Sequence, residues 1–252
     1  MELLTGFAIA VIVGMTGMGG GPLAAPIFIL ALGLPVTEAV GTSLVFVTIV
    51  KLFASPLYIL RKQVDYRVLR YMMLGGLPGV AIGTFALSKL NTKAAQPLVL
   101  ALVGFTIVVL AVISVWRLLS RGITAGDDKR ARWIPWLTLP IGLEVGFSSA
   151  GAGALGSLVM MYCSSIPASM VVGTDLLFGL ALSTFGGGLH LAAGNWNAPL
   201  FWKLAAGGAV GAMFGSWLAT RVPAKPLRAG LSFFLVFLGG QLCWKGVQVL
   251  VR

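Results

Sequence analysis

Apolar residues in this chain gather into long stretches set off by short polar punctuation. In the first half they cover roughly 3–33, 38–60, 68–88 and 97–119; in the second, roughly 134–163, 168–192, 200–220 and 226–250. Each is long enough to be read as a membrane helix. The stretch from Leu3 to Gly33 holds 31 residues without a charge. As one helix it would reach about 46 Å, against roughly 30 Å of bilayer hydrocarbon. Its middle reads Gly14-Met-Thr-Gly-Met-Gly-Gly-Gly-Pro22, five glycines in nine residues. Such a cluster, closed by proline, is a poor helix interior. The pattern predicts two short helices joined by irregular backbone. At membrane depth such backbone survives only where protein or a water-filled cavity satisfies its peptide groups.

A shift of 132 residues lays this cluster on a second one, Gly146-Phe-Ser-Ser-Ala-Gly-Ala-Gly153. In the same ungapped register Gly14, Gly19, Gly21, Gly41, Gly75, Gly76, Gly79 and Gly83 fall on Gly146, Gly151, Gly153, Gly173, Gly207, Gly208, Gly211 and Gly215. Pro35 falls on Pro167, Thr42 on Thr174 and Lys93 on Lys225. Val40-Gly-Thr-Ser-Leu-Val-Phe46 lies on Val172-Gly-Thr-Asp-Leu-Leu-Phe178. The chain thus reads as a duplication. Residues 1–119 form one transmembrane repeat, 120–133 a polar connector, and 134–252 a second repeat. Interrupted hydrophobic segments at matching places in two halves point to a transporter binding site. Glycines four apart, at 75, 79, 83 and at 207, 211, 215, make small-residue faces for close helix packing.

The charges add an orientation. Arg61, Lys62, Arg67 and Arg70 mark one loop, and Arg121, Lys129, Arg130 and Arg132 mark the connector two spans later. Both are expected on the cytoplasmic side. The counterpart of the first loop, Ala193-Gly-Asn-Trp-Asn-Ala-Pro199, carries no charge, while Arg221, Lys225 and Arg228 fill the loop after it. The bias has moved by one loop, which is the signature of an inverted repeat with re-entrant or twice-crossing broken segments. Lys89 and Lys93 oppose that reading, since it places them outside, together with both termini.

Composition settles the class. Hydrophobic residues are 58 %, charged residues 10 %, and mean hydropathy is +0.98. This is an all-α integral membrane protein. The net charge of +11 belongs to segment ends, where topology and lipid headgroups account for it, so no nucleic-acid partner is expected. No basic run precedes the first apolar stretch, so a cleaved signal peptide is not expected. Cys163 and Cys243 lie in separate apolar segments with no metal spacing and read as free thiols. No Walker loop, metal cluster or haem ligand pair is present, so neither cofactor nor metal is expected.

Few ionisable residues fall within spans, and each is a functional candidate because a charge there is costly. They are Lys51, Glu144, Asp175 and the single histidine, His190; Glu38, Lys203 and Lys245 sit nearer the ends. An ammonium at Lys51, beside unwound backbone N–H groups, suits an anion. The competing reading is a lysine that snorkels or pairs with Asp175. Asp175 has Ser43 as its counterpart and is a candidate for pairing with Lys51, for proton coupling, or for a hydrogen bond to broken backbone. Glu144, two residues before the second cluster, is a second proton-coupling candidate or a cap. His190, whose counterpart is Tyr58, reads as a polar interface residue. Hydroxyls at Thr16, Thr42, Ser43, Ser148, Ser149 and Thr174 lie at or near the breaks, ready for oxyanion oxygens or for helix carbonyls. With Gly19, Gly20, Gly21, Gly151, Gly153, Lys51 and Asp175 they make up the expected substrate site. Catalysis is not expected. Gly146-Phe-Ser-Ser149 lacks the closing glycine of a serine-protease motif, and an aspartyl protease needs a second aspartate in a span.

At these residues the chain resembles the TauE/SafE sulfite exporter family, the TSUP permeases. The resemblance is carried by Gly17-Met-Gly-Gly-Gly-Pro22, Ala39-Val-Gly-Thr-Ser-Leu44 with Lys51, Gln63-Val-Asp-Tyr66 and Gly75-Gly-Leu-Pro-Gly79. It continues through Gly173-Thr-Asp-Leu176 and Gly194-Asn-Trp-Asn197. It spans nearly the whole chain and rests on the order and spacing of these motifs. Asn197 departs from the first half, which has Asp65. The resemblance implies a multi-pass secondary transporter of the inner membrane for sulfite, an organosulfonate or another small organic anion. With no ATPase motif, proton-motive coupling is the expectation. An anion channel is the second reading and an intramembrane hydrolase a distant third. The expected partners are the small anion and membrane lipid; substrate, direction, coupling ion and oligomeric state are left open by the sequence.

Overall fold

The computed structural model describes residues 2–16, 21–90, 95–119, 128–150, 153–218 and 224–251. Among these residues every regular element is helical. The helices are α1 (Glu2–Thr16), α2 (Gly21–Leu30), α3 (Val36–Leu60), α4 (Tyr66–Lys89), α5 (Gln96–Leu119), α6 (Ile134–Ser148), α7 (Ala154–Cys163), α8 (Ala168–Ala192), α9 (Ala198–Leu218) and α10 (Ala224–Val251). A turn of 3-10 helix, Asp128–Trp133, leads into α6; residues 120–127 of the connector lie outside the described residues. Among the described residues five helices are long and apolar enough to cross a bilayer, in α3, α4, α5, α8 and α10.

Both broken stretches divide into two short helices. α1 and α2 flank residues 17–20, and α6 and α7 flank 149–153. Pro22 takes the second position of α2, where its missing N–H has no intrahelical partner to lose. α6 stops at Ser149, which adopts a left-handed conformation with φ of +64°. A non-glycine residue there is uncommon. Its N–H still bonds Val145 O at 2.9 Å, closing the last turn.

The glycine faces set the packing. On α4, a Cβ at Gly75, Gly79 or Gly83 would sit on the backbone oxygens of Pro135, Leu139 and Leu143 of α6. On α9, a Cβ at Gly207, Gly211 or Gly215 would sit on those of Leu3, Phe7 and Val11 of α1. These partners are themselves 132 residues apart. α1 therefore packs in parallel along α9 of the second half, and α6 along α4 of the first. Phe46 of α3 fills the space at Gly208, and Phe178 of α8 the space at Gly76. The halves interlock, each holding the first helix of the other.

At the centre α3 and α8 run antiparallel. Gly41 faces His190, whose Cβ is 3.0 Å from where a glycine Cβ would lie, and Gly187 faces Val45. α5 and α10 are antiparallel too: Gly104 meets Gly239 and Cys243, while Gly246 meets Pro97 and Ala101. Large apolar side chains point outward along the spans, among them Leu52, Phe53, Phe85, Phe105 and Phe237. Exposed Trp116, Trp133 and Trp136 flank the basic connector, where an interfacial aromatic belt belongs. Both cysteines are free; the Cys243 thiol donates to Ala101 O at 3.4 Å.

Candidate functional site

The site centres on α8, which packs against α3 and meets the start of α7. Lys51 lies past the middle of the 25-residue α3 and is 5 % exposed. Nine residues separate it from Leu60, about 13 Å of helix. Asp175 lies near the start of α8 and is 7 % exposed. Because the helices are antiparallel, the two residues fall toward the same end of the pair, and they interact electrostatically. Asp175 Oδ1 lies where a Cβ at Gly156 would stand, in the first turn of α7. Met72 and Phe178 close the same spot. The absent side chain at Gly156 is what lets a carboxylate approach this helix start. The arrangement offers an ammonium, a carboxylate and the positive end of a short helix.

The counterparts of Lys51 and Asp175 at the 132-residue offset are Ser183 and Ser43. Both are buried and donate within their own helices, Ser183 to Leu180 O at 3.1 Å and Ser43 to Val40 O at 2.8 Å. Neutral hydroxyls, one from each half, thus stand toward one end of the α3–α8 pair, where the other end has Lys51 and Asp175.

The repeated Val-Gly-Thr motif has a packing role. Thr174 Oγ1 accepts from Asp65 N at 2.9 Å, and Thr42 Oγ1 accepts from Asn197 N at 3.2 Å. Gly173 and Gly41 let the backbone oxygens of Gln63 and Asn195 lie directly against α8 and α3. Asp65 and Asn197 cap α4 and α9, accepting from Val68 N at 2.9 Å and Leu200 N at 3.1 Å. The Asp-to-Asn difference between the halves leaves this cap intact, because a carbonyl oxygen accepts as a carboxylate does. Thr42, Thr174 and Ser43 are therefore engaged with backbone.

At the second break, Ser148 donates to the Glu144 carboxylate at 2.5 Å and accepts from Ala150 N at 3.2 Å. Glu144 stands in a cavity of about 360 Å³ between α5, α6 and α7, whose wall includes Thr106, Phe105, Leu137, Pro140 and Val159. It is separate from the Lys51–Asp175 pair. Gly153 leads into α7, and its carbonyl accepts from Ser157 at 2.9 Å. Ser149 is buried, and its hydroxyl has no hydrogen-bond partner among the described residues. Thr16 ends α1 and Gly21 begins α2. Gly19, Gly20 and Gly151 lie outside the described residues, as does the side chain of Thr16.

Gly156 was not among the residues expected from sequence. Its signal is present only in part: it follows the second glycine cluster by three residues, but its counterpart is Ala24. The contact with Asp175 depends on how α7 folds back.

The chain matches the family model described as "Sulfite exporter TauE/SafE" over residues 2–242. It is 28 % identical over 256 residues to "Probable membrane transporter protein YjnA" of Bacillus subtilis (strain 168), covering 95 % of this chain and 98 % of that protein. "Probable membrane transporter protein YunE" of the same organism is 23 % identical, covering 83 % of this chain and 81 % of its own length. A "Probable membrane transporter protein" of Xylella fastidiosa (strain 9a5c) is 29 % identical over 46 % of this chain and 42 % of its own. No solved structure matches significantly. With a family match along almost its entire length, and membrane-length helices in both halves, the chain belongs to the sulfite exporter TauE/SafE family of multi-pass membrane proteins.

Proposed function

We propose that this protein is a secondary transporter that carries a small anion, sulfite or an organosulfonate, across the inner membrane. The observation that carries this reading is Lys51, a lysine enclosed within a span at the junction of the two halves, which interacts electrostatically with Asp175, itself against the start of α7. A single buried ammonium is costly, and a carboxylate offsets that cost. An anion entering from water takes over as counter-charge to Lys51, with the N–H groups of α7 adding partial positive charge. Asp175 then has to take up a proton or move away. The anion and the Asp175 carboxylate thereby compete for one lysine, and anion binding favours proton uptake at Asp175, which is the logic of a proton-coupled carrier.

The halves act in this reading as inverted repeats. Antiparallel pairing of the corresponding helices α3 and α8, and of α5 and α10, fits a two-fold axis in the membrane plane. The displaced basic loops support the same relation. The Lys51–Asp175 pair then lies toward the cytoplasmic end of the central helices, on the side of Arg61 and Lys62.

The test is sulfite uptake into proteoliposomes. Accumulation above the external concentration that collapses with a protonophore supports the carrier. Flux that only runs downhill and ignores the protonophore makes the protein a channel. Absence of any sulfite or taurine flux from protein that is folded removes the substrate assignment.

A further inference from the structure

Glu144 lies one turn before the end of α6, half-buried, in the wall of the cavity of about 360 Å³ between α5, α6 and α7. Two hydroxyls reach its carboxyl. Ser148 donates to Oε1 at 2.5 Å, and Thr106 of α5 comes within hydrogen-bonding range. The Thr106 hydroxyl has one hydrogen, and gives it to Val103 O at 2.9 Å. Toward Glu144 it therefore offers a lone pair. An ionised carboxylate has no hydrogen for that lone pair, whereas a carboxylic acid does. The set is complete in the protonated form: Ser148 donates to the carbonyl oxygen and the acid O–H donates to Thr106.

Packing does not require these polar groups. At the 132-residue offset Glu144 and Thr106 correspond to Ile12 and Leu238, so apolar side chains occupy the equivalent positions of the scaffold. Ser148 needs no carboxylate either, since Ser55, Ser157 and Ser164 bond the carbonyl four residues back.

No cation lines the cavity to offset a charge. Among the described residues in its wall Glu144 is the one ionisable group. On the elements packed around α6 the other titratable groups stand elsewhere. Lys89 is exposed at the end of α4. Arg117 lies eleven residues beyond Thr106 on α5, and Tyr162 and Cys163 end α7. Asp175 and His190 of α8 meet Gly156 and Gly146, which are not in the cavity wall. The arginines of the 3-10 turn and of the start of α4 belong to the opposite end of α6. An unpaired charge against apolar walls within a span is costly, and a proton removes it.

We propose that Glu144 is a second proton-binding site of the carrier, joined to the break between α6 and α7 through Ser148. A proton from water adds to the carboxylate, and the O–H so formed donates to Thr106 Oγ1; release reverses the step. Ser148 accepts from Ala150 N at 3.2 Å while donating to Glu144. A hydrogen bond to an ionised acceptor is roughly twice as strong as one to a neutral acceptor. Protonation therefore slackens the bond that ties Ser148, and with it Ala150, to the end of α6. In its link to anion movement this rests on the carrier reading above; the proton site itself does not.

Infrared difference spectra of the native protein in lipid, taken between about pH 5 and about pH 10, are expected to show a neutral-acid carbonyl band that is lost as the pH rises. The band should be absent in Glu144→Gln and displaced in Ser148→Ala and Thr106→Val. A Glu144 carboxyl that stays ionised, or stays protonated, over the whole range overturns the proposal. If Glu144→Gln fails to fold, the displacement in the two hydroxyl variants assigns the band. In proteoliposomes the ratio of pH-gradient-driven sulfite uptake to sulfite–sulfite exchange should fall at least tenfold in Glu144→Gln; an unchanged ratio also overturns the proposal. A carboxyl that titrates in protein that moves no sulfite upholds the proton site and refutes the substrate assignment.

Discussion

Thr42 on α3 receives the backbone N–H of Asn197 at 3.2 Å, tying the start of α9 to the central helix of the other half. Thr174 does the same for Asp65 at 2.9 Å. These two bonds brace opposite ends of the antiparallel α3–α8 pair, each between residues 109 or more apart in sequence. Thr42→Val and Thr174→Val preserve shape and remove the acceptor. Each should destabilise by about 0.5–1.5 kcal/mol, nearly additively in the double variant. Thermal unfolding in detergent checks both values, and a coupled, non-additive loss would show that the two ends do not act independently.

Gly79 and Gly188 separate packing from flexibility. A Cβ at Gly79 meets backbone of Leu139, Gly142 and Leu143, which has no rotamer to change. Gly79→Ala should part α4 from α6 and cost about 1–3 kcal/mol or more. Gly188, inside α8, has nothing within 4 Å. Gly188→Ala should raise stability by up to about 1 kcal/mol through helix propensity. Melting temperatures of the two variants should move in opposite directions.

Lys51→Met removes the ammonium and keeps much of the length. Sulfite affinity should fall at least tenfold, about 1.4 kcal/mol, with Lys51→Arg retaining part of it. Since Lys51→Met removes the ammonium that offsets the burial of Asp175, adding Asp175→Asn should restore melting temperature without restoring binding. Gly156→Ala, which displaces the Asp175 carboxylate, should impair transport in protein that still folds. Normal sulfite transport by Lys51→Met would make Lys51 a structural lysine and leave the anion to backbone and hydroxyls.

The inverted relation predicts opposite sidedness for corresponding loops. After Cys163→Ser and Cys243→Ser, single cysteines at Lys62 and Asn195 should react with a membrane-impermeant maleimide from opposite faces, Lys62 from the cytoplasm. Labelling of both from one face would make the duplication parallel.

The hydrophobic pattern alone determined where the helices run and that two of its stretches break. Those features are local: a span needs about 20 apolar residues, and a glycine cluster ending in proline cannot continue a helix. The spacing of Gly75, Gly79 and Gly83 was legible as a packing face because four residues bring a helix nearly back to one side. That register does not name the partner. Only tertiary structure showed that α4 receives α6 and α9 receives α1, so that each half encloses a helix of the other. Likewise the sequence marked Thr42 and Thr174 as polar groups near the breaks, but burial and backbone geometry turned them into braces. Lys51 and Asp175 stood out by charge alone, because charge is expensive at membrane depth wherever it points. Their shared end of the central pair, and the opening that Gly156 leaves for Asp175, came from the antiparallel crossing of α3 and α8. His190 read as a polar interface residue; that its Nε2 meets the carbonyl of Gly146 on α6 came only from the packing of α8 against that helix.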